Sequence, residues 1–187
     1  METLSATYQI DGKLCLTEVR ESDSEQLIKL LNDPLIFQNT LTIPNPYTKK
    51  DAEFYFDLCR QFEKDNGLIS NFAVRQDDLL IGGIGLLFNY GINSHRSEFG
   101  YWIGKPFRQK GIARIVVDRF VELVFNKYKL TRIEANVFLE NIASQKVLER
   151  CEFEREGLIK ASFVKGDVLK DSYLYARLNP EHTKTKN

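Results

Sequence analysis

The chain contains one nearly unbroken apolar run, LLIGGIGLLF, from Leu79 to Phe88. A short apolar run that follows polar turn residues is typical of a strand buried on both faces of a sheet. Glycines inside a strand weaken it, and they mark a bulge or the close approach of another backbone. We therefore predict a central strand here, with Gly82, Gly83 and Gly85 at a bulge or in close backbone contact.

Strand and helix patterns alternate on both sides of this run. Before it, the patterns predict strands at 14–17 and 71–75 with two helices between them. The first helix begins at Ser22 or Asp23 and is stopped by Asp33-Pro34. The second begins with a Thr48/Asp51 capping box and is ended by Gly67. After it, they predict a strand at 97–103, a helix at 111–127, a strand at 132–138, a helix at 141–151, and two strands near 153–161 and 168–178.

The order of these elements defines the fold class. A strand, a helix and a second strand over residues 97–138 predict a parallel pair with a right-handed crossover. The strands that flank Gln76-Asp77-Asp78 predict antiparallel neighbours. A length of 187 residues suits one domain. We therefore expect a mixed α/β sheet in a single domain over residues 1–178, followed by a polar, frayed tail over residues 179–187.

Composition and charge exclude several classes of function. The 26 basic and 26 acidic residues cancel, which disfavours general binding to nucleic acid. Cys15, Cys59 and Cys151 are odd in number and far apart, as is typical of free thiols in a reducing compartment. The sequence has no CxxC or HxxxH spacing, no run approaching ~20 apolar residues and no signal-peptide pattern. We therefore expect a cytoplasmic protein without a metal site and without a membrane partner.

Small residues and cations crowd together at one junction between a strand and a helix, in the stretch RQKGIA over residues 108–113. The N-terminus of a helix presents unpaired N–H groups and a partial positive charge. Gly111 and Ala113 would let an anion reach that backbone, and Arg108, Lys110 and Arg114 could add charge. The pattern predicts a cradle for a phosphate or pyrophosphate. Turn chemistry alone is the alternative explanation of such a glycine.

Two longer segments, SEFGYWIGKPFRQKGIA and RIEANVFLENIASQKVLERCEFEREG, resemble the GCN5-related N-acetyltransferases, in the branch that acetylates the N-termini of bacterial ribosomal proteins. RQKGIA matches the pyrophosphate loop of that family, and Asn141 with Ser144 matches its N-x-x-S. VLERCEF matches V-L-E-K-x-G-F, from which Cys151-Glu152 departs. The resemblance covers nearly the whole chain. It includes LCLTEVRESDSEQL and IPNPYTKKDAEFYF, which are similar to the substrate-side elements of the branch.

The resemblance implies a mostly antiparallel sheet flanked by helices, whose central parallel strand pair splays apart to admit the pantetheine arm of acetyl-CoA. Acetyl-CoA is the implied co-substrate and a primary amine the implied acceptor, with the α-amine of a protein chain favoured. The residues implied to bind the cofactor are Tyr101, Trp102, Ile103, Arg108, Gln109, Lys110, Gly111, Ile112, Ala113, Arg114 and Asn141. Asn141 could instead cap its helix, and both roles are compatible.

Acetyl transfer needs a base for the ammonium, a donor for the oxyanion and a donor for the leaving thiolate. Glu98 is the candidate base, or else a solvent-facing carboxylate on its strand. The family implies that Ser144 donates to the sulfur, although a first-turn serine can also serve its own helix. The backbone N–H near Ile103 is the candidate oxyanion donor. His95 and His182 support no nucleophilic centre, so we expect direct transfer in a ternary complex.

Two other functions stay open. The acceptor could be a small amine such as a polyamine or an aminoglycoside, for which the acidic residues Glu53, Asp57 and Glu98 are too few to decide. A module that binds CoA without catalysis is the second alternative, and the intact motifs on both sides of the cofactor argue against it. The sequence allows a homodimer through apolar surface on an edge strand but does not require one.

Overall fold

The computed structural model describes residues 7–183, and Asn187 is the last residue of the chain. The strands are β1 (Tyr8–Gln9), β2 (Leu14–Glu18), β3 (Asn71–Gln76), β4 (Leu79–Phe88), β5 (Arg96–Ile103), β6 (Arg132–Phe138), β7 (Glu154–Lys165) and β8 (Val168–Leu178). The α-helices are α1 (Ser24–Leu31), α2 (Pro34–Asn39), α3 (Lys49–Asn66), α4 (Ile112–Tyr128), α5 (Ile142–Arg150) and α6 (Pro180–Thr183).

The strands form one eight-stranded sheet in the order β1-β2-β3-β4-β5-β6-β8-β7. The sheet is mostly antiparallel and contains one parallel pair, β5 with β6, so the predicted mixed α/β fold is confirmed. Parallel pairing joins Arg96–Glu98 to Arg132–Glu134, and both strands continue beyond it. The predicted strand at the apolar run is also confirmed, because β4 has the bounds Leu79–Phe88 and a largely buried sequence.

The chain divides into two compact units, one of residues up to 85 with 101–112 and one of residues 86–100 with 113 onward. In the first unit, the capping box predicted for α3 is present, since the Thr48 N–H donates to Asp51 Oδ2 at 2.7 Å. Gly67 ends that helix with a φ of 65°. One apolar core cluster of this unit contains Leu27, Leu31, Ile36, Tyr47, Ala52, Phe56, Ala73 and Leu80.

A helix that the sequence patterns did not indicate, α2, begins directly after α1 in the first unit. Asp33 accepts a hydrogen bond from the Leu35 N–H at 2.9 Å, and Pro34 occupies the first helical position. Both residues stop α1, as predicted, and both also favour the start of a new helix. The same pair of residues therefore ends one helix and begins the next.

A buried ion pair joins β3 to the start of α1 in the first unit. Arg75 and Asp23 make two hydrogen bonds of 2.9 and 2.8 Å, with side chains only 3% and 6% exposed. Arg75 also donates to Thr17 Oγ1 at 2.8 Å. The register between β3 and β4 shifts at Val74/Arg75, so the ion pair lies where the ladder is irregular.

In the second unit, α4 packs through a fully buried stripe of Val116, Val117, Phe120, Val121 and Val124. Phe99 of β5 lies between two aromatic rings, with centroids 6.1 Å from Phe120 and 5.4 Å from Phe153. Strand β6 pairs with β8 along its whole length, from Arg132 to Phe138. This packing fixes β5, β6 and α4 relative to one another within the second unit.

The C-terminal end of α5 shows what the departure from the V-L-E-K-x-G-F pattern means. Glu152 stands where the pattern has glycine, and its φ is 62°, a conformation that favours glycine. The Phe153 N–H donates to the Leu148 carbonyl at 3.0 Å, which closes the helix end. The Glu152 carboxylate pairs with Arg177 at 2.9 Å. Glu152 thus adopts the glycine conformation at some cost in backbone strain.

The predicted tail begins with a well-fixed residue. Asn179 is buried, its N–H donates to the Thr131 carbonyl at 2.9 Å, and its side chain donates to the Leu130 carbonyl at 3.2 Å. The turn of α6 follows, and residues 184–187 of the predicted tail lie outside the described residues. Among residues 7–183, no helix has both the length and the apolar character needed to cross a membrane.

Candidate active site

The glycines of β4 make room for the segment of β5 that is a candidate to bind the pantetheine. A Cβ at Gly82 would lie 2.5 Å from the Trp102 carbonyl oxygen, and one at Gly83 would lie 2.6 Å from Trp102 Nε1. The Gly104 N–H donates to the Ile81 carbonyl at 2.8 Å. The predicted close backbone contact is confirmed at Gly82, whereas the nearest neighbours of Gly83 and Gly85 are the side chains of Trp102 and Asn71. Tyr101 and Trp102 are half-buried there, and Ile103 is buried.

Arg108 follows this segment, and its side chain contacts other residues of the first unit. Its Nε donates to the Ile103 carbonyl at 2.8 Å, and its Nη2 pairs with Asp33 at 2.8 Å. The guanidinium thus has two protein acceptors, and the charge that the sequence predicts it to add to the cradle stays a prediction. Arg108 therefore braces the junction against α2, whose N-cap is the same Asp33.

The loop between Arg108 and α4 has a backbone suited to an anion. Gln109 and Gly111 have φ values of 62° and 77°, and Lys110 stands between them. Alternating left- and right-handed residues turn successive N–H groups toward one side. A Cβ at Gly111 would meet no protein atom within 4 Å, so the space beside its backbone is open. All three residues are exposed.

Helix α4 follows this loop at once. It begins at Ile112, so the first N–H groups from Ile112 onward have no acceptor within the helix and carry its partial positive charge. Ala113 is half-buried and Arg114 is exposed. A helix N-terminus that follows an exposed, glycine-containing loop is the kind of site that binds phosphate-type anions through main-chain donors. The residues of the predicted cradle therefore suit the pyrophosphate of a CoA-type cofactor.

Glu98, the candidate base, lies in the second unit opposite Glu134 in the parallel pairing of β5 and β6. Burial raises the pKa of its carboxyl, and the charge of Glu134 adds to this, while hydrogen bonds from the side chain and backbone of Asn136 act in the opposite direction. The net effect is a raised pKa. A carboxylate of raised pKa is a better acceptor for the proton of an ammonium group.

Asn141 and Ser144 come together at the start of α5. Asn141 is the N-cap, and its Oδ1 accepts a hydrogen bond from the Ser144 N–H at 3.2 Å. The capping role of Asn141 is therefore confirmed. The following Gln145 is buried and donates to the Leu139 carbonyl at 3.0 Å, which fixes the loop between β6 and α5. Ser144 is half-buried in this first turn, and its role toward sulfur stays a prediction.

Asn136 and Gln145 are the polar residues of this unit that sequence reasoning missed. A signal for Asn136 was present, because it is a polar residue between the buried Ala135 and Val137 of an alternating strand. Gln145 looks like an ordinary polar residue of an amphipathic helix, and nothing in the sequence marks its burial. Within residues 7–183, no group of three or more His, Cys, Asp or Glu side chains could hold a metal ion.

Comparisons with known proteins identify the family of the chain. Residues 13–154 match the family model of the acetyltransferase (GNAT) domain. The chain is 32% identical over 121 residues to the probable N-acetyltransferase YjcK of Bacillus subtilis, covering 65% of this chain and 67% of that protein. It is 22% identical over 168 residues to the L-amino acid N-acetyltransferase AaaT of Escherichia coli, covering 89% and 99%.

A solved structure has the same fold. The ribosomal L7/L12 alpha-N-protein acetyltransferase RimL, in complex with coenzyme A, superposes with a TM-score of 0.83 at 18% sequence identity, covering 92% of this chain and 98% of that one. The family model spans well over half of the chain, from β2 to the start of β7. The chain therefore belongs to the GNAT family and is an N-acetyltransferase whose donor is acetyl-CoA.

Proposed function

We propose that this enzyme acetylates the α-amine at the N-terminus of a protein chain, by direct transfer in a ternary complex with acetyl-CoA. The observation that carries the proposal is the likeness to RimL, which extends over 92% of this chain, a share too large to leave out the whole of the helical segment α1–α3. That segment contains the stretches that resemble the substrate-side elements of the ribosomal branch. Specificity would come from the loop predicted over residues 43–50, whose last two residues begin α3, and from the last strands.

The cofactor would be bound mainly by main chain. The N–H groups of Gln109, Lys110 and Gly111 and of the first turn of α4 would bind the pyrophosphate, with exposed charge from Lys110 and Arg114. The backbone of Tyr101, Trp102 and Ile103 would pair with the pantetheine, with Asn141 as a further contact. Arg108 serves the same site indirectly, since its ion pair with Asp33 fixes the start of the loop.

Glu98 would accept the proton of the acceptor ammonium, directly or through water, which frees the nitrogen lone pair for attack. The thioester of acetyl-CoA supplies the acetyl group. The nitrogen adds to the thioester carbonyl, which forms the C–N bond and a tetrahedral oxyanion that the backbone N–H near Ile103 would stabilise. The C–S bond then breaks, the nitrogen loses its second proton, and the departing thiolate takes up a proton to leave as the thiol. The Ser144 hydroxyl would donate a hydrogen bond to the departing sulfur. Glu98 would thus take the proton of the ammonium, the N–H near Ile103 would stabilise the negative oxygen, and Ser144 would stabilise the negative sulfur.

A free amino acid is the second candidate acceptor, and the likeness to AaaT favours it. In both acceptors the amine is on an α-carbon that is bonded to a carbonyl or carboxylate carbon. They differ in whether that carbon continues into a polypeptide chain. A polyamine or an aminoglycoside has no such carbonyl. The three acceptor classes can therefore be separated by rate.

The test is an initial-rate panel with purified protein and saturating acetyl-CoA. The acceptors are a peptide with a free N-terminus, the same peptide with a blocked N-terminus, a mixture of free amino acids, and a polyamine. We expect the free peptide to be fastest and the blocked peptide to be inert. Preference for amino acids or the polyamine would reject the protein N-terminus as substrate. No transfer to any acceptor, with acetyl-CoA still bound, would favour the module without catalysis.

Self-association and domain division also stay proposals. The hairpin of β7 and β8 exposes Leu158, Val164 and Leu169 at an edge of the sheet, where a second copy could pack. Sedimentation velocity over a range of concentrations tests this, and a single monomeric species throughout would reject it. The division at residue 178 is tested by removal of residues 179–187, for which a frayed tail predicts an unchanged melting temperature and the hydrogen bonds of Asn179 predict a lower one.

A further inference from the structure

The carboxylate of Glu98 occupies the point where two strands stop pairing. Parallel pairing of β5 and β6 ends at Glu98 and Glu134. Farther along β6, the backbone N–H of Asn136 donates to the Glu98 side chain, where a main-chain carbonyl would normally be the acceptor. The side-chain amide of Asn136 donates to Glu98 as well. One residue thus offers two donors to the candidate base.

The orientation of the Asn136 amide is set from the opposite side. Its Oδ1 accepts a hydrogen bond from the Ser172 hydroxyl of β8 at 3.3 Å. Ser172 is completely buried, and the Ser162 hydroxyl of β7 lies within hydrogen-bond distance of it at 2.9 Å. Because Oδ1 is already an acceptor, the NH₂ end of the amide is left to donate to Glu98. The polar chain therefore runs from β7 through β8 and β6 to β5.

The charged groups around Glu98 do not hold it in place. Among the described residues, Glu134 is the charged side chain that acts on Glu98, and it repels the carboxylate. Glu134 is itself paired, with Arg96 at 3.1 Å and with Arg132 at 2.5 Å. These two guanidinium groups are therefore committed to a different carboxylate. Neutral donors from Asn136 are what the structure offers to Glu98.

We propose that Asn136 is a positioning residue for catalysis: its amide, oriented by Ser172, and its backbone N–H hold the Glu98 carboxylate toward the acceptor amine. This inference rests on the proposed role of Glu98 as base. Asn136 itself transfers no proton, since an amide cannot relay one at ordinary pH. Its contribution is to hold the carboxylate in place and to stabilise the ionised form of Glu98.

The test compares pH profiles of kcat/KM for the parent, Asn136→Leu and Ser172→Ala. Leucine matches asparagine in size and keeps the backbone donor but removes the amide donor. We expect the acidic limb of the Asn136→Leu profile to move up by about one pH unit, the shift that corresponds to one hydrogen bond to a charged group. Ser172→Ala should move it less and in the same direction, because the amide remains but can rotate.

The matched control is Asn179→Leu, an asparagine of the same unit that is buried and whose amide donates to the Leu130 carbonyl. It should lower the melting temperature without moving the acidic limb. An equal shift in this control would mean that loss of stability, not loss of the Glu98 contact, moves the profile. An unmoved limb in Asn136→Leu would overturn the proposal.

A second readout does not depend on catalysis. A carbon-13 NMR titration follows the Glu98 carboxyl directly, with Glu98→Gln to assign its signal. We expect the Glu98 pKa to be higher in Asn136→Leu than in the parent, and an equal pKa would refute the positioning role. If the NMR shift is present but Glu98→Gln keeps full activity with an unchanged acidic limb, the assignment of Glu98 as base fails while the contact with Asn136 stands. The two failures are therefore distinguishable.

Discussion

Substitution of Gly111 by alanine separates backbone strain from anion binding. The φ of Gly111 is 77°, where an L-residue costs about 1–2 kcal/mol. Alanine also reduces the conformational entropy of the unfolded chain, which stabilises the fold by about 0.4–1 kcal/mol. The net loss of folding free energy is therefore about 1 kcal/mol. For a chain of this size that loss lowers the melting temperature by about 2–4 °C. No protein atom lies within 4 Å of the new Cβ, so no clash adds to this cost.

The open space beside Gly111 is where the pyrophosphate would approach, so the methyl group should weaken acetyl-CoA binding about tenfold, or about 1.4 kcal/mol. Gly166 is a matched control, with a φ of 60° and no atom within 4 Å of a Cβ, in the turn between β7 and β8. Gly166→Ala should lose similar stability and bind acetyl-CoA like the parent. Isothermal titration calorimetry on both variants gives the dissociation constants. Equal affinity in the two variants would refute the cradle assignment.

Three further predictions concern stability. Asp23→Ala should lower the free energy of unfolding, measured in urea, by about 3–5 kcal/mol, because it leaves Arg75 buried without its partner. The control Asp57→Ala removes an exposed partner of Arg60 and should leave the urea midpoint almost unchanged. Glu152→Gly should raise the melting temperature by about 2–4 °C, since glycine accepts a φ of 62° and the lost ion pair is 78% exposed on the Glu152 side. The pKa of Glu98 is raised above its ordinary 4.5, so its protonated form favours the fold, and that contribution is lost as the pH rises through the raised value. Glu98→Gln should therefore melt above the parent at pH 7 and show less loss of stability between pH 4 and 7; a lower melting temperature at pH 7 would contradict this sign.

Regular features of the fold could be predicted because they rest on local signals. The alternation in β6 and the apolar run of β4 gave bounds that the structure reproduces at Arg132–Phe138 and Leu79–Phe88. The capping box at Thr48 and the cap at Asn141 depend on residues three apart, so a sequence shows them directly. Strand β1 was missed because it spans only two residues, Tyr8–Gln9, which is too short for a period to appear.

The site was harder to predict because its contacts are distant in sequence. The loop over residues 108–113 could be recognised from its composition and position, but the commitment of Arg108 to Asp33 depends on where α2 folds. The contact of Glu98 with Asn136 and of Asn136 with Ser172 joins three strands. Only the strand order places such residues together, and no spacing rule in the sequence encodes it. Long-range hydrogen bonds of this kind become visible only in the folded structure.

Location of the acetyl group within a product is the most direct test of the proposed activity. The acceptor is a peptide with both a free N-terminus and an internal lysine, incubated with the enzyme and acetyl-CoA, and the product is fragmented by tandem mass spectrometry. The proposal predicts that the acetyl group is on the α-amine alone and that Glu98→Gln reduces its rate of appearance. Acetyl on the lysine side chain, or none on a peptide while free amino acids are acetylated, would contradict a protein N-terminal acetyltransferase.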